Sequence, residues 1–142
     1  MDSMKIYLSG GMSGLTSDEQ RKWRKQVMDA LKYGDIDTNK HLTFFNPPDY
    51  YNFETISHKS EKEPFEFDLY QLRTSDLVIV NFNKPNSIGT AMELMLAKEL
   101  HIPIIGLNKD GVELHPWLIE CCTRMCTDMR ELINHVAEFY LS

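Results

Sequence analysis

The sequence predicts an α/β fold in which helices cover both faces of a doubly wound, mostly parallel sheet of five strands. Two observations predict it. Short apolar runs alternate along the chain with longer segments of helical periodicity. The strongest run, at residues 77–80, is apolar at every position, as expected of a parallel strand buried on both faces. In such sheets ligands bind at the carboxyl ends of the strands.

The first part of the chain predicts one strand and one helix joined by a loop of small residues. Residues 4–8 form a short apolar strand, which runs into the loop SGGMSG over 9–14. Thr16 followed by Glu19 is the pattern of a capping box, in which each side chain bonds to the backbone N–H of the other residue. Apolar residues then recur at helical spacing, which predicts a helix over about 17–32.

The middle of the chain predicts two further strands around a long connection. Residues 42–45 predict the second strand, which ends where two prolines follow it. Residues 49–63 are polar and aromatic without a clear period, and a loop of this length in a compact domain is often functional. A helix over about 64–74 then leads into the third strand, predicted over 75–82.

The last part of the chain continues the alternation. A helix within residues 86–100 follows the third strand, and a fourth strand is predicted over 102–107. A short helix around 113–122 and an amphipathic helix near 128–140 follow. These patterns place four strands of the expected five. No repeat or linker interrupts residues 1–142, so we expect one domain of the flavodoxin-like or Rossmann-like kind.

Composition and charge restrict the classes of function. The chain has 142 residues, of which 42% are hydrophobic and 25% charged, and a formal net charge of -6. This charge disfavours a nucleic acid polymer or an anionic membrane as partner, because both bind positive surfaces. Three clustered cysteines (Cys121, Cys122 and Cys126) lack a second ligand pair, which favours reduced structural thiols over a zinc site. We therefore expect a cytoplasmic protein without a metal or cofactor.

Two loops are expected to open on one crevice at the carboxyl edge of the sheet. They are SGGMSG and the segment NKPNSIGTAME over 83–93, which ends at Glu93. The amino end of the helix should point into the crevice, and its dipole should keep Glu93 ionised at neutral pH. An ionised carboxylate held in a cleft is a candidate nucleophile. A glutamate that only complements the helix dipole fits the same position.

Three further side chains are candidates for the same site, each with a structural alternative. Asp68 could point toward the crevice or be a solvated aspartate near a helix start. Tyr7 could bring its phenol to Glu93, or it could be a core tyrosine that needs a partner for its hydroxyl. Ser87 could cap the helix of Glu93 or offer its hydroxyl to an anion.

The loop SGGMSG could bind a phosphate through its backbone amides, because it is short, consists of small residues and precedes a helix. It matches neither the P-loop spacing nor GxGxxG, so the motif alone does not identify a phosphate site. Asn81 and Asn83, where the third strand meets the crevice, could contact a ligand or form a turn.

Three segments of the chain carry a resemblance to a known family. They are KIYLSGGMSG at the start, DLYQLRTSDLVIVNF in the middle and SIGTAMELMLAKELHIPIIGL after it. Together they resemble the nucleoside 2-deoxyribosyltransferase superfamily, which includes N-glycosidases of 2′-deoxynucleoside 5′-monophosphates. The resemblance implies that Glu93 is the catalytic nucleophile, that Tyr7 positions it, and that Asp68 lies near the leaving base and assists its protonation.

The resemblance also implies the substrate-binding residues. The loop that wraps the sugar, and in some members its 5′-phosphate, corresponds to SGGMSG. Ser87 stands where transferases that act on free nucleosides carry an aspartate, and a serine can donate to a phosphate that an aspartate would repel. The expected substrate-binding residues are Ser9, Gly10, Gly11, Met12, Ser13, Gly14, Ser87 and Gly89.

The resemblance implies a homo-oligomer, at least a dimer, whose active site is completed by a polar residue from the neighbouring subunit. Here that region reads HPWLIECCTRMC and gives no clear counterpart; Thr123 and Arg124 are the candidates. Trp117 in the same region could anchor an interface or belong to the core.

The function that these features imply is hydrolysis of the N-glycosidic bond of a 2′-deoxynucleoside 5′-monophosphate through a covalent deoxyribosyl intermediate on Glu93. One alternative is a transferase that exchanges bases between deoxynucleosides, since both reactions share their first step. Another is a non-catalytic nucleotide-binding sensor, which would bind nucleotides without turning them over.

Overall fold

A computed structural model confirms the α/β class and shows a parallel sheet. It describes residues 2–12, 14–34, 36, 38–50 and 60–142. The strands in these ranges are β1 (Ser3–Gly10), β2 (His41–Phe45), β3 (Leu77–Asn81), β4 (Ile104–Leu107) and β5 (Arg124–Cys126). They lie in the order β2-β1-β3-β4-β5, and each neighbouring pair is parallel. This is the flavodoxin-like order, in which the direction of winding reverses between β1 and β3.

Five α-helices connect or follow the strands in the described ranges. They are α1 (Ser17–Tyr33), α2 (Lys62–Arg73), α3 (Ile88–Glu99), α4 (Pro116–Cys121) and α5 (Met129–Val136). The predicted capping box is present at α1, because the Thr16 hydroxyl accepts from the Glu19 N–H and the Glu19 carboxylate accepts from the Thr16 N–H, both at 3.2 Å. Ser87 caps α3 by accepting a hydrogen bond from the Thr90 N–H at 3.3 Å.

Several boundaries differ from the sequence prediction. The fifth strand, which the sequence left unplaced, is only three residues long, too short to show an alternation of apolar and polar residues. Ser9 and Gly10 belong to β1 and not to the loop, because they pair with Val80 and Asn81 of β3. The last helix leaves α-geometry after Val136 and continues as a π-helical turn over Ala137–Leu141. Of the predicted loop over 49–63, residues 51–59 lie outside the described residues.

Two apolar layers cover the sheet. Alternate residues of a strand point to opposite faces, so Ile79 packs in the layer of α1 and α5 while Val78 and Val80 pack in the layer of α2 and α3. Residues 77–80 of β3 are all fully buried, which explains why these four positions are all apolar. The direction of winding reverses between β1 and β3, so an opening is expected at the carboxyl ends of these two strands.

The three cysteines are free thiols. Cys126 is buried in the core as expected, whereas Cys121 and Cys122 are only partly buried. Burial raises the pKa of Cys122 to about 12, so this thiol is protonated at neutral pH. Within the described ranges no cluster of three His, Cys, Asp or Glu side chains is arranged to hold a metal ion.

No described helix has both the length and the apolar character needed to cross a lipid bilayer.

Gly10 is the position of β1 at which a side chain should be tolerated least. A Cβ there would lie 2.9 Å from Trp23 Cζ2 and 3.3 Å from the Asn81 carbonyl oxygen. Because the Trp23 ring is buried in the core, Gly10→Ala should lower the free energy of unfolding by about 1–3 kcal/mol. Urea denaturation measures this change.

Gly89→Ala is the matched control for that substitution. No atom lies within 4 Å of the Cβ that it would add, and alanine is favoured over glycine in a helix by about 1 kcal/mol. Its urea midpoint should rise. Equal midpoints for the two variants would contradict the packing described for Gly10.

Candidate active site

A crevice of about 1150 Å³ opens at the carboxyl ends of β1, β2 and β3. The loop after β1 and the segment between β3 and α3 form two of its walls, and α1 and α2 contribute side chains. These are the two loops that the sequence predicted to face each other. They meet because the direction of winding reverses between β1 and β3, which leaves an opening outside the strand ends.

Two hydroxyl groups of β1 hold the carboxylate of Glu93. The Tyr7 hydroxyl donates to Glu93 Oε2, and the Ser9 hydroxyl donates to Oε1 at 3.0 Å. Tyr7 and Ser9 are two positions apart on β1, so both side chains face α3, and both are buried. Glu93 is partly buried and lines the crevice. Its carboxylate is therefore fixed at both oxygens and still borders the space where a ligand would lie.

The ionisation of Glu93 is set by opposing effects. Burial raises the pKa of its carboxyl group, while the hydrogen bonds from Tyr7 and Ser9 and the charge of Arg24 act in the opposite direction. The sequence argument considered only the helix dipole, which would lower this pKa; the structure shows a net increase because the carboxylate is desolvated between β1 and α3. A carboxyl group in a cleft whose pKa is raised by burial and opposed by specific hydrogen bonds is a candidate for a functional position.

Tyr7 is both a core residue and the partner of Glu93. Its ring stacks on Phe45 with centroids 5.2 Å apart. Burial, followed by the charges of Glu93 and Asp68, raises the pKa of Tyr7 well above its ordinary value. The phenol is therefore protonated at neutral pH and acts as a hydrogen-bond donor to the carboxylate. The sequence left open whether Tyr7 is a core tyrosine or the partner of Glu93, and the structure shows that it is both.

Asp68, on α2, borders the same crevice as Glu93. It is partly buried. Its charge raises the pKa values of Tyr7 and Arg24, which places it within electrostatic range of the group that holds Glu93. Since α2 begins at Lys62, Asp68 lies in the second turn of the helix and not at its start.

Asn83 and Lys84 fix the loop after β1. The Gly11 N–H donates to Asn83 Oδ1 at 3.1 Å, and Asn83 Nδ2 donates to the Gly11 carbonyl at 3.3 Å. Lys84 extends along this loop: a Cβ on Gly11 would meet Lys84 Cβ at 2.6 Å, and one on Gly14 would meet Lys84 Nζ at 3.1 Å. Gly14 also has a φ of +78°, which favours glycine. The ammonium group of Lys84 therefore lies beside Gly14, at the far end of the loop after β1.

The other predicted substrate-binding residues are distributed as follows. Gly10, Gly11, Met12 and Gly14 line the crevice, as do Ser87 and Gly89 at the start of α3. Ser9 does not line it and bonds to Glu93 instead. Ser13 lies outside the described residues.

The region expected to complete a neighbouring site lies elsewhere in the fold. Thr123 Oγ1 accepts from the Ile104 N–H at 3.2 Å, which places it at the amino end of β4, the opposite edge from the crevice. Arg124 lies 3.6 Å from the Glu131 carboxylate. Neither lines the crevice of its own chain. Trp117 is 78% exposed and does not belong to the core.

Sequence reasoning missed Arg24, a fully buried arginine that lines the crevice. An arginine in an amphipathic helix is usually on the solvent side, so the residue type alone predicts an exposed side chain. Its spacing was nevertheless informative, because Gln20, Arg24, Val27 and Leu31 recur at helical intervals and all are buried. Arg24 thus lies on the apolar stripe of α1.

One family model matches most of the chain. Its description is "Nucleoside 2-deoxyribosyltransferase like", and it matches residues 3–111. This range contains β1 through β4 and the three side chains Tyr7, Asp68 and Glu93. No curated protein has a sequence that matches this chain significantly.

Solved structures of similar fold include two transferases and a glycosidase. A 2-deoxyribosyltransferase from Bacillus psychrosaccharolyticus has a TM-score of 0.70 and 19% identity, covering 95% of this chain and 91% of that one. A 2-deoxyribosyltransferase from Leishmania mexicana has a TM-score of 0.67 and 15% identity, with coverages of 97% and 99%. A CMP N-glycosidase from Clostridium botulinum has a TM-score of 0.62 and 14% identity, with coverages of 93% and 96%. At these identities the likeness is one of fold.

Proposed function

The chain belongs to the nucleoside 2-deoxyribosyltransferase-like family, and from this premise we propose that it hydrolyses the N-glycosidic bond of 2′-deoxynucleoside 5′-monophosphates. Family membership supports an enzyme that acts on deoxynucleosides or deoxynucleotides. The observation that carries the proposal is the carboxylate of Glu93, which Tyr7 and Ser9 hold at both oxygens beside the crevice. A carboxylate held in this way is suited to attack a sugar carbon.

The reaction follows the course of a retaining glycosidase. A carboxylate oxygen of Glu93 attacks C1′ of the sugar as the bond from C1′ to the base breaks, through a transition state with oxocarbenium character. The electron pair of that bond leaves with the base, and Asp68 supplies the proton that the base takes up, directly or through a water. Water then attacks C1′ and gives one proton to the Asp68 carboxylate, while the bond from C1′ to the Glu93 oxygen breaks and its electron pair returns to Glu93. This step releases deoxyribose 5-phosphate and restores both acids to their starting states.

Tyr7 and Ser9 have a positioning role in this scheme. Both donate to the attacking carboxylate, and hydrogen bonds to the charged form favour that form. Because Tyr7 is held in the core by its stacking on Phe45, the phenol fixes the carboxylate without an entropic cost at the time of reaction. The carboxylate is therefore oriented before the substrate binds.

Two features of the crevice support a 5′-monophosphate over a free nucleoside. The ammonium group of Lys84 lies beside Gly14 in the loop that would surround the substrate, and it can bind a phosphate. Ser87 leaves its hydroxyl proton available while its oxygen caps α3. The fold also occurs in a CMP N-glycosidase, so cleavage of a nucleoside monophosphate is compatible with this architecture.

Lys84→Ala tests the phosphate assignment. The variant should lower the ratio of kcat/KM for a 2′-deoxynucleoside 5′-monophosphate to that for the matching deoxynucleoside by about tenfold or more, because it removes a hydrogen bond between charged groups. Steady-state base release from both substrates measures the ratio. Lys98→Ala, an exposed lysine on α3, is the matched control and should leave the ratio unchanged. An unchanged ratio in Lys84→Ala would mean that phosphate is bound elsewhere or is not required.

Base transfer between deoxynucleosides is the second candidate, because two structural neighbours are 2-deoxyribosyltransferases. Hydrolysis and transfer share the attack by Glu93 and differ in whether water or a second base reaches the intermediate. Incubation with deoxynucleosides and their monophosphates, with and without an acceptor base, separates the two reactions. We expect free base and deoxyribose 5-phosphate from the monophosphate; a new deoxynucleoside would favour transfer, and no cleavage of either substrate would contradict both.

We also propose a homo-oligomer of at least two copies. α3 exposes Ile88 by 76% and Met92 and Met95 by 49% each, and these residues recur at helical spacing on one side of the helix. Exposed apolar residues grouped in this way are typical of an interaction surface. Because Ile88 and Met92 also line the crevice, a partner on this surface would help to enclose the substrate.

The remaining proposals concern the cellular location of the protein and the class of molecule that it binds. The free cysteines support a reducing compartment, and we propose a cytoplasmic location. The net charge of -6 supports a small-molecule substrate and not a nucleic acid polymer or a membrane.

A further inference from the structure

We propose that Arg24 is a positioning residue of this site: it ties α1 to the end of β1 and supplies the positive charge that keeps Glu93 a carboxylate. The proposal rests on the proposed function in one respect, which is that Glu93 attacks in its ionised form. Arg24 belongs to α1 and is not among the groups that would touch the reacting atoms.

The burial of Arg24 requires an explanation. It is fully buried, and removing a charged group from water is costly unless other groups compensate it. Its Nη1 donates to the Gln20 carbonyl at 2.6 Å and its Nη2 to the Gly10 carbonyl at 3.2 Å. Both acceptors are neutral. Among the described residues Nε has no hydrogen-bond partner.

The acidic groups around Arg24 come from several elements. Glu93 on α3 contributes most to raising the pKa of Arg24, followed by Tyr7 on β1, Asp49 after β2 and Asp68 on α2. Burial outweighs them and lowers this pKa to about 10, so the guanidinium is charged at neutral pH. Its guanidinium carbon also lies 4.8 Å from the centroid of the Trp23 ring, a distance at which a cation and an aromatic face attract.

The electrostatic interaction between Arg24 and Glu93 also affects Glu93. The charge of Arg24 lowers the pKa of Glu93 in the same sense as the hydroxyls of Tyr7 and Ser9, against the effect of burial. Arg24 therefore offsets part of the desolvation of Glu93.

A hydrogen bond links Arg24 to the strand that holds Glu93. The Gly10 carbonyl, which accepts from Arg24, follows Ser9 directly, and the Ser9 hydroxyl donates to Glu93. A tether alone would need only a neutral donor, and a neutral donor would avoid the cost of a buried charge. The presence of a buried arginine at this position is explained if the positive charge of Arg24 stabilises the ionised form of Glu93.

Arg24→Gln separates the charge from the tether, because glutamine retains donors but carries no charge. In a plot of kcat/KM against pH, loss of the positive charge should move the midpoint of the acidic limb upward by about one pH unit. Since Glu93 must be ionised to attack, activity should then fall most below that midpoint, by about tenfold, and least on the plateau at higher pH. Arg24→Lys should restore most of the wild-type profile.

Lys25→Gln is the matched control. It removes one positive charge from the neighbouring position of α1, where the side chain is exposed and pairs with Asp29. Its acidic limb should coincide with that of the wild type. If Arg24→Gln also coincides with the wild type while the protein is folded, Arg24 is only a structural tie, and the proposed effect of its charge on Glu93 is wrong.

A second measurement does not depend on activity. Carboxyl carbons of ¹³C-labelled glutamate are followed by NMR through a pH titration, with Glu93→Gln used to assign the Glu93 signal. The proposal predicts a higher midpoint for Glu93 in Arg24→Gln than in the wild type. If Arg24→Gln does not fold, Arg24→Lys replaces it, and a Glu93 midpoint more than one pH unit above that of the wild type would contradict the assignment to charge.

The two proposals can fail separately. Cleavage by the wild type with an unmoved Glu93 midpoint in Arg24→Gln overturns the role of Arg24 alone. A raised Glu93 midpoint in a protein that cleaves no nucleotide supports the role of Arg24 in ionisation and overturns the proposed function.

Discussion

Glu93→Gln is expected to reduce release of free base from a 2′-deoxynucleoside 5′-monophosphate by about a thousandfold or more, because the amide is nearly the same size but is not a nucleophile. One of the two hydroxyl groups of Tyr7 and Ser9 can still donate to the amide oxygen, and the other can accept from the amide NH2 group, so the fold should be retained. The measurement is base release under saturating substrate, with circular dichroism as the test of folding.

The control for this variant is Glu99→Gln on the same helix. Glu99 is exposed at the end of α3 and loses the same charge on substitution, so its activity should stay close to that of the wild type. Retention of more than about a tenth of the activity in folded Glu93→Gln would mean that another group attacks the sugar.

Asp68→Asn is expected to lower the rate of base release by about a hundredfold, because positioned acids contribute about 10²–10⁴-fold to proton transfer. The size of the loss should depend on the substrate. A base that departs readily without protonation should be released at nearly the wild-type rate, whereas a base that requires a proton should be affected fully. Parallel assays with bases of different leaving ability measure this dependence.

Glu66→Gln on α2 is the corresponding control, since Glu66 is exposed and lies near Lys62 on the surface of the helix. Its rates should match those of the wild type with every base. A loss in Asp68→Asn that is equal for all leaving bases would place Asp68 in substrate binding and not in protonation.

The sequence was sufficient for the parts of the fold in which local pattern and tertiary environment agree. The apolar run of β3 predicted a strand buried on both faces, and the capping box predicted the start of α1; both are present. β5 could not be placed because three residues carry no period, and it is defined by pairing with β4. The limits of β1 were likewise set by pairing, which brought Ser9 into the strand.

The candidate site was predictable where topology determines which segments meet. The strand order brings the ends of β1 and β3 together, so Tyr7 and Glu93 meet although they are 86 positions apart. Contributions that depend on side-chain direction were not predictable. The spacing of Arg24 indicates the inward side of α1, but it does not show that the guanidinium group reaches the Gly10 carbonyl. The course of Lys84 along the glycine loop likewise depends on the detailed path of both segments.

The ionisation of Glu93 shows the same limit in energetic terms. A helix terminus can be read from sequence, and it favours a carboxylate. Desolvation depends on how closely β1 and α3 pack, and here it raises the pKa of Glu93 despite two hydrogen bonds and a nearby arginine. The balance of these effects is a property of the packed structure.

The central claim is that Glu93 becomes covalently bonded to the sugar. Mass spectrometry of the acid-quenched reaction tests this claim most directly. The account predicts a deoxyribosyl phosphate adduct on the peptide that contains Glu93, formed with the monophosphate substrate and absent in Glu93→Gln. Release of base at the wild-type rate with an adduct on a different residue would contradict it.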